Sequence, residues 1–268
     1  MELMTAPDHA PSSTTRIART VAITSGKGGV GKTFFSANLA AALTRQGLKV
    51  LVLDADLGLA NLDVVLNLYP KITLHDVFTG KAELEEAILP APGGFSVLLA
   101  GSGLVEYSRL TPEVRDQLTT IFESVKPRFD VILIDTGAGI SDVVLYAVSM
   151  AHEVIVIATP EPTSMTDAYA TIKVLSAQQA REQLHLVVNQ VSRSGDGRAI
   201  CNQLQQVVER FVQGPNGVSP RLTFLGDIPL DSSVREAVQK RQLLLELHPG
   251  SAAAQGVVQV ATRLLART

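Results

Sequence analysis

Val21–Thr24 is a short apolar run that leads straight into Ser25-Gly26-Lys27-Gly28-Gly29-Val30-Gly31-Lys32-Thr33, and helical spacing begins at Phe35. No other segment restricts the possible folds as much. A strand, a glycine loop and a helix in that order form a phosphate cradle. Gly28, Gly29 and Gly31 let the backbone turn tightly and aim its N–H groups at anionic oxygens. The helix adds the positive end of its dipole. Lys32 supplies a point charge to the outer phosphates, and the Thr33 hydroxyl is a Mg²⁺ ligand. The loop therefore points to ATP or ADP with Mg²⁺, and Val30 and Phe34 complete the expected nucleotide-contacting set.

Six further apolar runs follow: Val50–Leu53, Val97–Ala100, Val131–Ile134, Val154–Ala158, Leu184–Val188 and Thr223–Leu225. Each is short and rich in β-branched residues or leucine, and most are bounded by Gly, Pro or Asp. Helical spacing recurs between them at Phe35–Gln46, Pro112–Val125, Ser141–Ala151, Asp167–Ala180 and Ile200–Phe211. This alternation predicts an α/β fold: one P-loop NTPase domain over residues 20–268, with a mostly parallel twisted sheet and helices on both faces. Aromatic residues are only 4% and Trp is absent, so the core must be aliphatic, as in a sheet covered on both sides. Right-handed crossovers bring the loops after the strands to one edge, where ligands bind. Residues 1–19 contain Pro7, Pro11 and Ser12-Ser13-Thr14-Thr15 without periodicity, and read as a flexible tail.

Bulk properties exclude several classes. The net charge of −3 argues against direct DNA binding by bulk electrostatics. A single cysteine, Cys201, allows no intrachain disulfide and no cysteine-rich metal site within one chain. No apolar run of signal-peptide or membrane-spanning length occurs, which predicts a cytoplasmic protein.

Acids follow two of the strands. Asp54 and Asp56 come directly after Val50–Leu53, and Asp135 after Val131–Ile134. Metal, a positioned water and charge compensation are what phosphoryl transfer to water requires. Asp135 opens Asp135-Thr136-Gly137-Ala138-Gly139, a Walker-B-like arrangement that holds Mg²⁺ through water, and its glycines predict a mobile loop. Asp54 belongs to the metal site or caps the next turn.

Lys27 is not needed by an ordinary phosphate loop. Lys27–Thr33 reads KGGVGKT, the signature of the MinD/ParA family of deviant Walker-A ATPases, and the chain resembles that family over most of its length. The resemblance implies slow, Mg²⁺-dependent ATP hydrolysis in an ATP-dependent homodimer. In such a dimer Lys27 reaches the partner's nucleotide; the alternative is a solvated surface lysine. The resemblance implies a catalytic set of Asp56, Lys27 and Lys32, with Asp56 orienting the attacking water. It places Asp54 with Thr33 and Asp135 around the metal. Asn189, which ends Leu184–Val188, is assigned to the adenine edge, or is simply a turn-forming residue. Pro229 and Asp231 fall beside the base. Glu161 contacts nucleotide or partner, or is a solvated loop acid.

Three segments resemble the flagellar-number regulator branch, FlhG/FleN, more than the cell-division or partition branches: Asp54–Asp63, Glu161–Tyr169 and Asp231–Val238. The implied partners are a flagellar transcriptional activator or a flagellar-placement GTPase, with a station in the cytoplasm, at the inner membrane or at the cell pole. MinD-like division and ParA-like partition remain the alternatives. Asp8-His9-Ala10 matches poorly the short motif with which some members stimulate the GTPase. At the C-terminus, Ala254, Val257, Val258, Ala261, Leu264 and Leu265 share one helical face, with Arg263 and Arg267 elsewhere. This pattern suits core packing better than membrane attachment.

Overall fold

The computed structural model describes residues 17–57, 61–101, 110–193 and 195–266. The expected tail up to residue 16, with Asp8-His9-Ala10, lies outside them, as do Gly58, Leu59, Ala60 and Arg267.

The strands are β1 (Arg19–Ser25), β2 (Val50–Asp54), β3 (Ile88–Pro90), β4 (Ser96–Leu98), β5 (Val131–Ala138), β6 (Glu153–Ala158), β7 (Gln183–Val191) and β8 (Arg221–Pro229). They form one sheet in the order β3-β4-β2-β5-β1-β6-β7-β8. All pairings are parallel except β3 with β4. Seven strands overlap the apolar runs of the sequence. β3 does not: it follows α4 directly and is only partly buried. Its Pro90 suits an edge strand, where no ladder N–H is needed.

The helices are α1 (Lys32–Thr44), α2 (Leu62–Leu66), α3 (Leu74–Phe78), α4 (Leu84–Ala87), α5 (Pro112–Val125), α6 (Asp142–Ser149), α7 (Pro162–Gln179), α8 (Asp196–Phe211), α9 (Ser232–Lys240), α10 (Leu244–Leu247) and α11 (Ala252–Leu265). α7 begins five residues before the expected Asp167. Pro162 is its first residue, where a missing N–H costs nothing.

Strand side chains alternate between two buried layers. Val50 and Val52 of β2, Val131 and Leu133 of β5, and Val21 and Ile23 of β1 pack with α1 and α11. Leu51, Leu53, Ile132, Ile134 and Ala22 face the layer of α5, α6, α7 and α8. The same alternation carries Asp54 and Asp135 to the α1 side, directly opposite each other in the β2–β5 register. β1 lies between β5 and β6, so the crossover from β5 to β6 passes over it. A crevice opens beyond its carboxyl end.

α11 packs against β8 and α1. Ala253, Ala254, Val257, Val260, Ala261 and Leu264 are buried, whereas Val258 is 41% exposed. The apolar face is thus rotated slightly from the one expected, with Val260 inside and Val258 outside. It is a core face. Among the described residues, no helix is long and apolar enough to cross a membrane.

Candidate nucleotide-binding site

β1 delivers the chain to Gly26, whose backbone lies against the first turns of α7. A Cβ at this position would come within 2.2 Å of the Asp167 carbonyl oxygen, so only glycine fits. The loop closes at Gly31, left-handed at φ 94°, and α1 begins at Lys32. A cavity of 630 Å³ opens over the loop, lined by Gly28, Gly29, Lys32, Thr33, Asp56 and Gly137 among others. Val30 turns away from it into the core and is 3% exposed.

Lys32 is only 9% exposed, and its Nζ donates to Ser25 Oγ at 2.9 Å. Burial lowers its pKa, and the charges of Asp135 and Asp56 oppose that shift. A buried ammonium beside backbone N–H groups at a helix N-terminus is a donor set that calls for a polyanion. This fits the triphosphate expected from the loop.

Asp135 Oδ1 accepts from Ser36 Oγ at 2.8 Å. Burial raises its pKa to about 6, against hydrogen bonds from Thr33 and Ser36 and the charge of Lys32. Thr33, Ser36 and Asp135 therefore converge beside the loop, and a hydroxyl next to a carboxylate is a Mg²⁺-type oxygen set. Asp54 is 1% exposed. Its Oδ1 accepts from the Asp56 backbone N–H at 3.1 Å, and its buried Oδ2 has no hydrogen-bond partner among the described residues. Burial and neighbouring Asp135 push its pKa well above the usual range. It lines a neighbouring 410 Å³ cavity with Asp63 and Thr73 rather than the phosphate cavity, and it ties down the turn after β2. Of the pair after β2, Asp56 is the acid that lines the cavity over the loop.

The segment after Asp135 begins as strand rather than loop. β5 continues to Ala138, Thr136 Oγ1 reaches Ile23 O at 3.1 Å, and Gly139 N donates to Ser25 O at 2.8 Å. Gly139 turns the chain with a left-handed φ of 89°, and Gly137 packs beside Asp56. A Cβ at Gly137 would sit 3.4 Å from the Asp56 carboxyl.

A 310 Å³, mainly apolar cavity continues past Gly31 between Phe34, Asn189, Pro229, Leu230 and Val234. Its shape and position suit a purine. Asn189 is present, but its amide grips the loop: Nδ2 donates to Val30 O at 2.7 Å and Oδ1 accepts from Gln190 N at 2.9 Å. Asp231 is also present, yet its carboxylate is taken. Oδ1 accepts from Ser233 N at 2.9 Å and from Ser233 Oγ, and Oδ2 accepts from Ala253 N at 3.2 Å. It caps α9 and ties down the first turn of α11 while it also lines this cavity.

Lys27 stands outside the phosphate cavity. Its Nζ donates to Glu161 Oε2 at 2.5 Å and to Thr163 Oγ1 at 3.1 Å, both at the start of α7. The two charged side chains are 36% and 60% exposed. Ser25, Ser36, Thr163 and Gln190 were missed by sequence reasoning. Ser36 carried a signal, since it lies one helical turn after Lys32 and faces the same way.

A family model described as ParA, NUBPL iron-transfer P-loop NTPase, matches residues 16–265. The chain belongs to the ParA family. Members of this family are ATPases. The chain is 41% identical over 244 residues to the antiactivator FleN of Pseudomonas aeruginosa, covering 91% of this chain and 85% of that protein. It is 36% identical over 249 residues to the flagellum site-determining protein YlxH of Helicobacter pylori, covering 92% and 82%. The septum site-determining protein MinD from Pyrococcus horikoshii, solved with Mg-ADP, superposes with a TM-score of 0.76 at 31% identity, covering 94% of this chain and 98% of that one.

Proposed function

We propose that this ParA-family chain is a regulatory ATPase that dimerises with ATP and controls flagellar number or placement. The placement of its two loop lysines carries the dimer reading. Lys32 is buried at the phosphates, whereas Lys27 is exposed at the rim and held only by a surface carboxylate and a hydroxyl. Such a lysine is available to a second copy at little cost, because exposed ion pairs are worth about 1 kcal/mol or less. Likeness to an antiactivator and to a flagellum site-determining protein over most of the chain supports the flagellar assignment, with a flagellar transcriptional activator or placement GTPase as partner.

Lys32 and the loop N–H groups bind and neutralise the β- and γ-phosphates. Asp56 accepts a hydrogen bond from the attacking water and aligns it with the terminal phosphorus. Thr33 and Asp135 would hold Mg²⁺, which would supply charge neutralisation at the phosphates. Asp54 stands behind Asp135 and fixes the turn that aims Asp56. Phe34, Pro229 and the wall around Val234 enclose the base, and Glu161 holds Lys27 until a second copy takes it.

Light scattering of wild type and Asp56→Ala with ADP and with ATP tests this. A dimer with ATP, longest-lived in the variant that cannot hydrolyse it, is expected. A monomer under every condition removes the dimer reading, and an unchanged flagellar count in cells lacking the chain removes the flagellar one.

A further inference from the structure

Asn189 does more than lie beside the base cavity. It sits on β7, separated from β1 by β6, and yet its amide closes on the back of the phosphate loop. Nδ2 meets Val30 O at 2.7 Å, and Oδ1 is fixed by the Gln190 N–H at 2.9 Å. One partner is an acceptor and the other a donor, so a flipped amide would face like against like at both ends. Two further features produce this geometry. The β7–β8 register shifts between Asn189 and Val191, and Gln190 has φ 60°, a left-handed conformation that a side chain rarely adopts. A bulge of this kind re-aims a side chain out of the ladder. On the loop side Gly31 leaves the space, since a Cβ there would lie 2.6 Å from Asn189 Nδ2.

We propose that Asn189 is a positioning residue for the phosphates: its amide holds Val30 and Gly31 so that the loop N–H groups point into the cavity before any ligand arrives. This deepens the nucleotide-site reading and rests on it. Base and phosphates are then coupled, because the residue that lines the base cavity also sets the loop. The amide's orientation is thus set by the protein before any base arrives.

The test compares wild type with Asn189→Ala and the near-isosteric Asn189→Leu, titrated with ATP, ADP, GTP and inorganic tripolyphosphate. Amide exchange of residues 28–33 is measured without ligand. Losing one well-formed hydrogen bond and leaving its acceptor unpaired should weaken ATP, ADP and tripolyphosphate by one common factor, about tenfold. The preference for ATP over GTP stays as in wild type, and exchange across the loop quickens while the melting temperature of the rest of the chain holds. Normal tripolyphosphate binding with weakened ATP would make Asn189 a base reader and overturn the proposal, as would unchanged loop exchange. Should wild type bind none of the four ligands, the nucleotide reading fails by itself; faster loop exchange in the variants would still uphold the positioning bond. Two variants of different volume guard against a fold defect, since both must give the same factor.

Discussion

Asp231 separates two accounts of the same residue. Placed beside a purine by resemblance, it should matter for nucleotide affinity. Held as it is, it should matter for stability. Oδ1 accepts from the Ser233 N–H and hydroxyl, and Oδ2 accepts from Ala253 N. The carboxylate therefore joins the first turns of α9 and α11, two elements that close the α1-side core. Removing an N-cap acceptor costs about 1 kcal/mol, so Asp231→Ala, which loses two such anchors, should cost about 2 kcal/mol. In a domain of this size that corresponds to a fall in melting temperature of roughly 4–8 °C. Asp231→Ser retains a cap for α9 but is too short to serve both helices, so about half the loss is expected. The same bonds hold the Asp231 carboxyl below its usual range, so its contribution is present at neutral pH and fades as acid protonates it. Urea unfolding of the ligand-free protein measures all of this. ATP affinity, corrected for any unfolded fraction, should change less than threefold, roughly 0.7 kcal/mol. Unaltered unfolding together with a tenfold loss of ATP affinity would refute the capping account and restore the base contact.

Two further outcomes follow from charged groups away from the phosphates. Glu153 joins β1, β6 and β7 at the opposite end of the strands from the loop, accepting from Arg19 and, at 3.0 Å, from His185. Burial alone would raise its pKa, but these hydrogen bonds and charges bring it down to about 2. A carboxyl held that low contributes up to about 3 kcal/mol above its unfolded pKa, lost as pH falls from about 4.5 to about 2. The unfolding free energies of wild type and Glu153→Gln should therefore differ at pH 7 and converge near pH 2; a gap that is constant with pH would be a packing effect instead. Glu161→Gln should leave ligand-free stability within about 0.5 kcal/mol, because the Lys27–Glu161 pair is exposed. If that pair holds Lys27 back from a second copy, the ATP-dependent dimer should strengthen by up to about fivefold in sedimentation; a weaker dimer would mean that Glu161 itself makes the cross-dimer contact.

Local order and chemistry were legible in the chain. Lys32, Thr33 and the loop glycines are consecutive, so their convergence needs only one strand, one turn and one helix. β-branched runs ending in acids located Asp56 and Asp135 at the ligand edge, because a parallel sheet brings all its carboxyl ends together. The central strands β1, β2, β5 and β6 were visible because they are buried on both faces and read as apolar runs, whereas edge strand β8 showed only as the short Thr223–Leu225 run. Segments whose structure depends on distant partners were not legible. β3 exists through pairing with β4, the first turn of α11 is anchored by Asp231, and the apolar face of α11 is set by β8 and α1.

What the sequence by itself determined is the phosphate cradle, its family and the layered fold, since periodicity and contiguous motifs act over a few residues. Tertiary structure alone decided how the remaining polar groups are spent. An isolated amide or carboxylate in sequence can serve a ligand or the protein equally well, and only its hydrogen-bond partners settle which. Asn189 bonds a residue 159 positions away, Asp231 one 22 positions away, and Lys27 one 134 positions away. Directional bonds across such separations form only when the sheet has brought the loops together, which is why the last layer of the site could not be read along the chain.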